Sequence, residues 1–219
     1  MRRLLRENGL SIVMFGLFAI FLVGQSLTGY RTYNHDQQDH QQPAIGYGEY
    51  LTTGHFIEAT FENWESEFLQ MGAYVVFTAF LFQKGAEESK KLDEQASVDK
   101  EPDPAAPGAP WPVRRGGPAL KIYEHSLTIA LFALFLLSFA LHAVGGAAEY
   151  NQDQIAHGAA AVSVWQFLAT SRFWFESFQN WQSEFLSVGM LIVLSIFLRQ
   201  KGSPESKPVD APHEATGDV

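Results

Sequence analysis

The sequence contains no cysteine among its 219 residues. This absence excludes a disulfide framework, a thiol nucleophile, a CxxC redox couple and metal clusters held by thiolates. Basic residues are also scarce, since 15 lysines and arginines accompany 24 acidic residues and leave a net charge of −9. Proteins that bind nucleic acid need a basic face, so nucleic acid is not a predicted partner. The sequence also lacks a glycine-rich phosphate loop, a GxSxG elbow and an HExxH pair, which argues against three common enzyme classes.

Apolar residues make up 47% of the chain and fall into long blocks, a distribution typical of membrane spans joined by polar segments. The first block is long enough to cross a bilayer core of ~30 Å as a helix. A cleaved secretory signal is the alternative for this block, because Arg2, Arg3 and Arg6 precede it. A matching block lies in mid-chain, where a cleaved signal cannot lie, and it favours a membrane anchor. The predicted spans are residues 9–30, 62–82, 126–148 and 179–198.

A tandem repeat organises the chain. When the sequence is shifted by 117 residues, 7–90 aligns with 124–207 without a gap, and 33 of the 84 aligned pairs are identical. The densest match pairs residues 61–69 with 178–186. Ungapped matching over this length indicates a duplication, so we expect two copies with two spans each. The predicted organisation is a first repeat at 1–90, a disordered linker at 91–120, a second repeat at 121–202 and a disordered tail at 203–219.

Lysine and arginine are concentrated on one predicted side of the membrane. Of the 15 basic residues, only Arg31 and Arg172 lie in the loops within the two copies. The other 13 lie at the N-terminus, between the second and third predicted spans or after the last span. Cytoplasmic segments carry such an excess, so both termini and the linker are predicted to be cytoplasmic in a bacterial inner membrane. The loops at 31–61 and 148–177 are rich in aromatic residues, which predicts short outer interfacial helices. The predicted fold is all-α, with four transmembrane helices in two tandem hairpins of parallel topology.

Polar residues recur within the predicted spans at helical spacing. Carboxylates in a span normally face the interior or an aqueous cavity, so Glu67 and Glu184 are predicted to point inward. Gln25 and His142 lie at a similar depth, and we expect Gln25 to pair with Glu67 and His142 with Glu184. Such pairs could fix helix register at ~0.6 kcal/mol each, or they could form a site for protons or a ligand. The supporting polar face is predicted to comprise Asn63, Ser66, Gln70, Asn180, Ser183 and Ser187.

Two further sets of residues are shared by the copies. Trp64 and Trp181 lie near the predicted outer boundary, where anchoring at the lipid headgroups is the simplest interpretation. The loop pattern Tyr-Asn-x-Asp-Gln-x-x-His places an aspartate and a histidine four residues apart, on one helix face. Two such pairs could form a four-ligand metal site, but a surface hydrogen bond explains them equally well, and no metal or other cofactor is predicted. These weak candidate ligands are Asp36, His40, Asp153 and His157.

Several segments are characteristic of one protein family. They are Glu-Asn-Gly-Leu-Ser at 7–11, Tyr-Asn at 33–34, Glu-Tyr-Leu-Thr-Thr-Gly-His-Phe at 49–56, Asn-Trp-x-Ser-Glu-Phe at 63–68 and Gln-Lys-Gly-Ser-Pro-Glu-Ser-Lys at 200–207. At these residues the chain resembles an uncharacterised family of small bacterial membrane proteins, a domain of unknown function. The resemblance covers both copies and excludes the linker and the tail. It implies a duplicated membrane protein and no established activity.

We therefore expect a non-enzymatic membrane protein with a structural or partner-binding role. Its expected partners are the lipid bilayer and either a second copy or another membrane protein. The first alternative is a small carrier or channel for protons or a solute, using Glu67, Glu184, His142 and Gln25. The second alternative is a metal-dependent enzyme on the outer face, using the four loop residues, although no nucleophile or complete metal triad accompanies them.

Overall fold

The computed structural model of the chain describes residues 6–92 and 94–217. Within these ranges all regular structure is helical and no strand is present, which confirms the all-α class. The start of the predicted first repeat and the end of the predicted tail lie outside the described residues. The helices are α1 (Gly9–Asp39), α2 (Tyr47–Tyr50), α3 (Gly54–Phe80), α4 (Trp111–Arg115), α5 (Gly117–Glu124), α6 (Ser126–Ala156), α7 (Val164–Phe167) and α8 (Ser171–Phe197), with a 3-10 turn at Ser97–Asp99.

The helix bounds recur along the chain at a constant offset. The bounds of α1, α2 and α3 are shifted by 117 residues in α6, α7 and α8, and this is the offset at which the sequence matches itself. α1 and α6 each have 31 residues and extend beyond the predicted spans. The polar pattern Tyr-Asn-x-Asp-Gln continues both helices, because these residues are compatible with a helix that projects from an apolar segment.

Three helices in the described part of the chain are long and apolar enough to cross a membrane, namely α1, α6 and α8. α3 is not among them. Its first half carries Glu58, Glu62, Glu65 and Glu67, and these acidic residues lower its mean hydropathy. The chain is thus compatible with a membrane protein, while the fourth span stays a prediction.

The chain divides into two compact units. The first unit combines the chain up to Phe61 with Ala140–Phe173, and the second combines Glu62–Phe139 with the segment from Trp174 onward. The long helices α3, α6 and α8 therefore contribute residues to both units.

In the first unit, two asparagines fasten the loops that follow α1 and α6. The side chain of Asn34 donates to the carbonyl of Ile45 at 3.1 Å and accepts from its N–H at 2.8 Å. Asn151 makes the same pair of bonds with Val162, at 2.8 and 2.6 Å. Each amide thus satisfies two backbone groups that have no helical partner. The asparagine of the repeated loop pattern sets the path of the chain after each helix.

Glycines allow close packing in the first unit. A Cβ atom on Gly146 would lie 2.6 Å from the ring of Phe167, and a Cβ on Gly29 would overlap the hydroxyl of Tyr50. Both aromatic residues are almost fully buried. A Cβ on Gly145 would lie 2.6 Å from the backbone nitrogen of Glu58, so the backbones of α3 and α6 approach closely here, as small residues permit.

In the second unit, α3 and α8 end in turns of the same design. A glutamine backbone N–H donates to the hydroxyl of a serine six residues later, in the pairs Gln83–Ser89 at 2.8 Å and Gln200–Ser206 at 2.9 Å. The glycine of each Gln-Lys-Gly sequence has a φ of +86°, which glycine adopts without the penalty of a side chain. The repeated sequence Gln-Lys-Gly-x-x-Glu-Ser-Lys therefore encodes a defined turn.

Two segments predicted to be disordered carry local structure. α4 and the beginning of α5 lie within 91–120, and each helix has a proline in its first turn, where proline is favoured. In the tail, the Lys207 side chain is only 1% exposed. Its ammonium donates to the carbonyls of Gly85 at 2.7 Å, His213 at 2.8 Å, Ala215 at 3.0 Å and Pro212 at 3.3 Å. These bonds fasten the tail to the turn after α3.

Candidate functional site

A group of ionisable side chains is buried in the first unit. Glu58 on α3 is 8% exposed and His142 on α6 is fully buried. A carboxylate oxygen of Glu58 and a ring nitrogen of His142 lie within 4.8 Å of each other. The guanidinium of Arg172 lies 3.8 Å from Glu58 and stacks on the ring of Tyr150 at 5.7 Å. Buried charges persist only when they are paired, so this group holds α3, α6 and the start of α8 in one arrangement.

An aromatic cluster adjoins the start of α3 in the same unit. The hydroxyl of Tyr50 lies 3.2 Å from Nδ1 of His55, and the Tyr50 ring packs against Tyr30, Tyr33 and Phe56. Burial raises the pKa of the Tyr50 hydroxyl, and the negative charge of Glu149 raises it further. The hydroxyl is therefore neutral at physiological pH and available as a hydrogen-bond group.

An open cleft of about 730 Å³ lies beside this cluster. The C-terminal ends of α1 and α6 form its walls, and hydrogen bonds join them. Gln152 donates to the hydroxyl of Tyr33 at 2.8 Å and to the side chain of Gln37 at 3.1 Å. The residues with ionisable side chains around the cleft are Tyr33, Asp36, His40, His55, Glu149 and Asp153.

The two histidines of the repeated loop pattern meet at this end of the first unit. The ring centroids of His40 and His157 are 6.4 Å apart, at an interplanar angle of 74°. Nδ1 of His40 lies 2.8 Å from the carbonyl oxygen of Asp36, and Nδ1 of His157 lies 2.9 Å from that of Asp153. The structure thus brings together the histidines of the candidate metal ligands, which lie 117 positions apart in the sequence.

The backbone contacts determine which nitrogen of each ring can bind a ligand. A carbonyl oxygen only accepts hydrogen bonds, so Nδ1 of both His40 and His157 carries the hydrogen. In a neutral imidazole the lone pair then lies on Nε2. Histidines that bind metals commonly have this arrangement, with one nitrogen donating to a carbonyl or carboxylate and the other binding the metal. Both rings also cap the ends of their own helices, a structural role that basic side chains often fill.

The predicted intramembrane polar residues have different surroundings from those expected. The amide of Gln25 donates to the hydroxyl of Thr60 at 3.3 Å, within the first unit. Glu67 is exposed rather than buried, and Glu184 is half-buried. Those two carboxylates belong to the second unit and are close enough for the charge of one to act on the other. The pairing of Gln25 with Glu67 and of His142 with Glu184 stays a prediction.

The serines of the predicted supporting polar face form hydrogen bonds within their own helices. The hydroxyl groups of Ser66, Ser183 and Ser187 each donate to a carbonyl three residues earlier, at 2.7 to 2.8 Å. The first of these accepting carbonyls belongs to Asn63, and the second to Asn180. Gln70 differs from these serines, because it is buried at 5% exposure and its Nε2 atom makes no hydrogen bond.

Sequence reasoning missed the carboxylate that is most buried in the second unit. Glu65 is fully buried, and its Oε1 atom accepts a hydrogen bond at 3.0 Å from the indole N–H of Trp181. The sequence singled out Glu67 because it falls on a polar face with Asn63 and Gln70. The buried stripe of α3 instead passes through Glu58, Glu65 and Ala73. These buried positions are seven and eight residues apart, a helical spacing. The pattern alone predicts an anchoring role for Trp181 and gives no sign that its indole pairs with Glu65.

A pair of carboxyl groups lies at the turns that follow α3 and α8. Partial burial raises the pKa of Glu88 to about 7, and a hydrogen bond and the charge of Glu205 add to the effect. These two glutamates occupy equivalent positions in the repeated turn sequence. The Glu88 carboxyl therefore shares a proton with its counterpart in the folded protein.

We expect the stability of the second unit to fall as pH rises from 4.5 to 7. The folded pKa of Glu88 lies above its ordinary value of 4.5, so folding binds a proton in this window. The stabilising contribution is complete below pH 4.5 and is lost as pH rises through about 7. Thermal unfolding of the wild type and of Glu88→Gln across this range measures the effect. The variant should lose this pH dependence, whereas Glu101→Gln in the linker should keep it; equal profiles for all three proteins would contradict the shared proton.

Comparison with known proteins gives one family and no closer relative. The family model described as "Domain of unknown function (DUF6766)" matches residues 1–218. No curated protein and no solved structure matches the chain. The match covers the first unit, the second unit and the linker, and it agrees with the resemblance of the repeated segments to a family without an assigned activity. The chain belongs to this family of unknown function.

Proposed function

We propose that the chain is a non-enzymatic bacterial plasma-membrane protein that binds a divalent transition metal on its outer face. The four-span topology is supported by the constant offset of the helix bounds. Because α3 occupies the position in the first copy that α8 occupies in the second, we assign it the same membrane-spanning role. The orientation is supported by the 13 basic residues outside the loops within the two copies. In this orientation the cleft between the ends of α1 and α6 faces outward.

The observation that carries the proposal is the proximity of His40 and His157. Two imidazoles that bind one Zn²⁺ at about 2.0–2.1 Å per nitrogen hold their ring centroids roughly 5–6 Å apart. The observed separation of 6.4 Å is slightly larger, so the two rings would have to approach each other to share one ion. Imidazole suits Zn²⁺, Cu²⁺ and Ni²⁺, and we take Zn²⁺ as the test ion.

Carboxylates supply the additional ligands that a zinc site requires. Oδ1 of Asp153 lies 3.2 Å from Nδ1 of His157, the nitrogen that does not bind the metal, so its side chain would have to rotate toward Nε2 to become a ligand. Asp36 is its counterpart beside His40. Both aspartates line the cleft together with Glu149. Their negative charges attract a divalent cation, and the open face of the cleft gives it access. Two histidines and two carboxylates, or two histidines, one carboxylate and a water, complete a coordination number of four.

A binding role is better supported than the two alternatives. A proton carrier needs ionisable or polar groups along the whole path, but residues 9–24, 126–141 and 185–197 contain no acidic, basic or histidine side chain. A hydrolytic enzyme needs a nucleophile or a base beside the metal. The described lining of the cleft contains no serine, threonine or lysine. Of its two histidines, His40 is a proposed ligand and His55 contacts the hydroxyl of Tyr50.

Titration of Zn²⁺ into purified protein tests the proposal. We expect the wild type, prepared without chelator and then stripped of metal, to bind one Zn²⁺ per chain in isothermal titration calorimetry. His40→Ala and His157→Ala should each weaken binding by at least about tenfold, because each removes a ligand. Binding should also weaken in acid, since metals bind the neutral imidazole.

The chain offers a matched control for this experiment. His35 lies on α1 one turn before the end of the helix, is exposed, and contacts Asp39 at 3.8 Å. It has no histidine at the equivalent position of the second copy, so His35→Ala should bind Zn²⁺ as the wild type does. Equal affinities for the wild type, His40→Ala and His157→Ala would overturn the proposed site and leave both histidines as helix caps.

A further inference from the structure

A second cavity lies in the second unit, between α3 and α8. Its volume is about 330 Å³, at the lower end of the range for small-molecule sites. Most of its wall is apolar, and aromatic rings contribute from both helices. The principal wall residues are Tyr74, Phe77, Leu81, Phe185, Val188 and Ile192.

A glycine keeps one wall of this groove open. A Cβ atom on Gly189 of α8 would meet no atom within 4 Å. Its counterpart in the first copy, Gly72, is packed, since a Cβ there would lie 3.2 Å from the ring of Phe132. The two equivalent glycines thus differ in use: one allows helices to pack, and the other leaves space in the groove.

The groove contains a polar group that lacks a hydrogen-bond partner. Gln70 lines the groove and is 95% buried, and its Nε2 atom makes no hydrogen bond. A buried donor without an acceptor destabilises a protein, because it has lost its hydrogen bonds to water. The neighbouring hydroxyl of Thr78 is already used, because it donates to the carbonyls of Tyr74 and Val75 at 3.0 and 3.1 Å. A ligand that supplies an acceptor oxygen to Gln70 would remove this penalty.

The charges around the groove restrict the ligand further. Among the described residues that line it, none is lysine, arginine or histidine, and the ionisable carboxyl is that of Glu88 at the end near the turns. The nearby Lys90 is engaged, since its ammonium donates to the carbonyl of Ala79 and to Asp99 at 2.8 and 2.9 Å. An anionic headgroup would find no cation here, so the groove suits an uncharged molecule.

We propose that this groove binds an uncharged, membrane-soluble aromatic carbonyl compound of the quinone class. The carbonyl oxygen accepts the hydrogen bond from Gln70, and the flat ring packs against Tyr74, Phe77 and Phe185 as aromatic rings do with one another. The inference concerns binding alone and is independent of the proposed metal site, which lies in the first unit.

Photolabelling with benzophenone tests this inference, because the probe combines a carbonyl with aromatic rings. The full-length protein in lipid nanodiscs is irradiated with benzophenone, and labelled peptides are located by mass spectrometry. We expect labelling within residues 70–82 and 185–192. Menadione, a naphthoquinone, should compete for this labelling about three- to tenfold better than 2-methylnaphthalene, which has no carbonyl to accept the hydrogen bond.

Two variants separate the groove from general partitioning into the bilayer. Gly189→Leu fills the groove and should abolish labelling there, whereas Gly16→Leu is a matched control, since a Cβ on Gly16 also meets no atom within 4 Å. Gln70→Leu should weaken competition by menadione about three- to tenfold without lowering the melting temperature, because it removes an unsatisfied donor. If menadione and 2-methylnaphthalene competed equally well with benzophenone labelling of the wild type, the inference would be overturned. This outcome does not depend on whether any variant folds. Labelling that Gly189→Leu leaves unchanged would also overturn it.

Discussion

Gly146→Leu is expected to lower the thermal unfolding midpoint of the detergent-solubilised protein, through a loss of at least about 1–3 kcal/mol. Even the Cβ atom would lie 2.6 Å from Cε1 and 2.8 Å from Cζ of Phe167. That ring is fully buried and packs on the rings of Tyr150 and Phe173, with centroids 5.6 and 5.7 Å away. The ring therefore cannot move aside without disturbing the buried ionic group near the start of α8.

A matched substitution and a double variant distinguish this steric effect from a change in helix propensity. Gly24→Leu places the same side chain in α1, where a Cβ meets no atom within 4 Å, and it should be neutral or slightly stabilising. Phe167→Ala removes the obstructing ring, so adding Gly146→Leu to it should cost much less than in the wild type. Additive effects of the two substitutions would refute direct contact between them.

Lys207→Met is expected to release the tail and to destabilise the second unit by about 2–4 kcal/mol. The substitution keeps a long apolar side chain but removes the donor that serves four carbonyls. The Gly85 N–H also binds the hydroxyl of Thr216 at 2.8 Å, so loss of the lysine weakens a connected network. Limited proteolysis of the native protein, followed by mass spectrometry of the tail, measures the release.

Lys201→Met is the control for this prediction. Lys201 lies in the same turn, is exposed, and carries the same charge, so its substitution tests for a general effect of one lost cation. Its tail should be cleaved at the rate of the wild type. If Lys207→Met were also cleaved at that rate and melted at the same temperature, the ammonium would not fasten the tail.

Much of the helical architecture could be predicted from the residues alone. Long apolar blocks indicate helices, and the match at an offset of 117 predicts that each helix recurs, as α1 and α6 do. The four loop residues could be found as a candidate set because the aspartate–histidine spacing of four is conserved between the copies. Their proximity could not be predicted, because spacing within one helix carries no information about which other helix end lies beside it.

The buried polar groups were harder to predict for a related reason. A helix with carboxylates at Glu58, Glu62, Glu65 and Glu67 has several faces that could point inward, and hydropathy does not choose among them. Glu65 is buried because Trp181 on α8 supplies an N–H at 3.0 Å, a partner more than one hundred residues away. Similarly, Gly72 and Gly189 are equivalent in sequence, and only their neighbours make one a packing site and the other an open wall.

The sequence by itself determined the helical class, because long apolar blocks favour helices through interactions that act over short distances along the chain. The tertiary structure alone decided that His40 meets His157, that Lys207 fastens the tail, and that Gln70 faces a groove without a partner. These outcomes depend on contacts between residues remote in the chain, whose free energies arise from burial and geometry that no local pattern encodes.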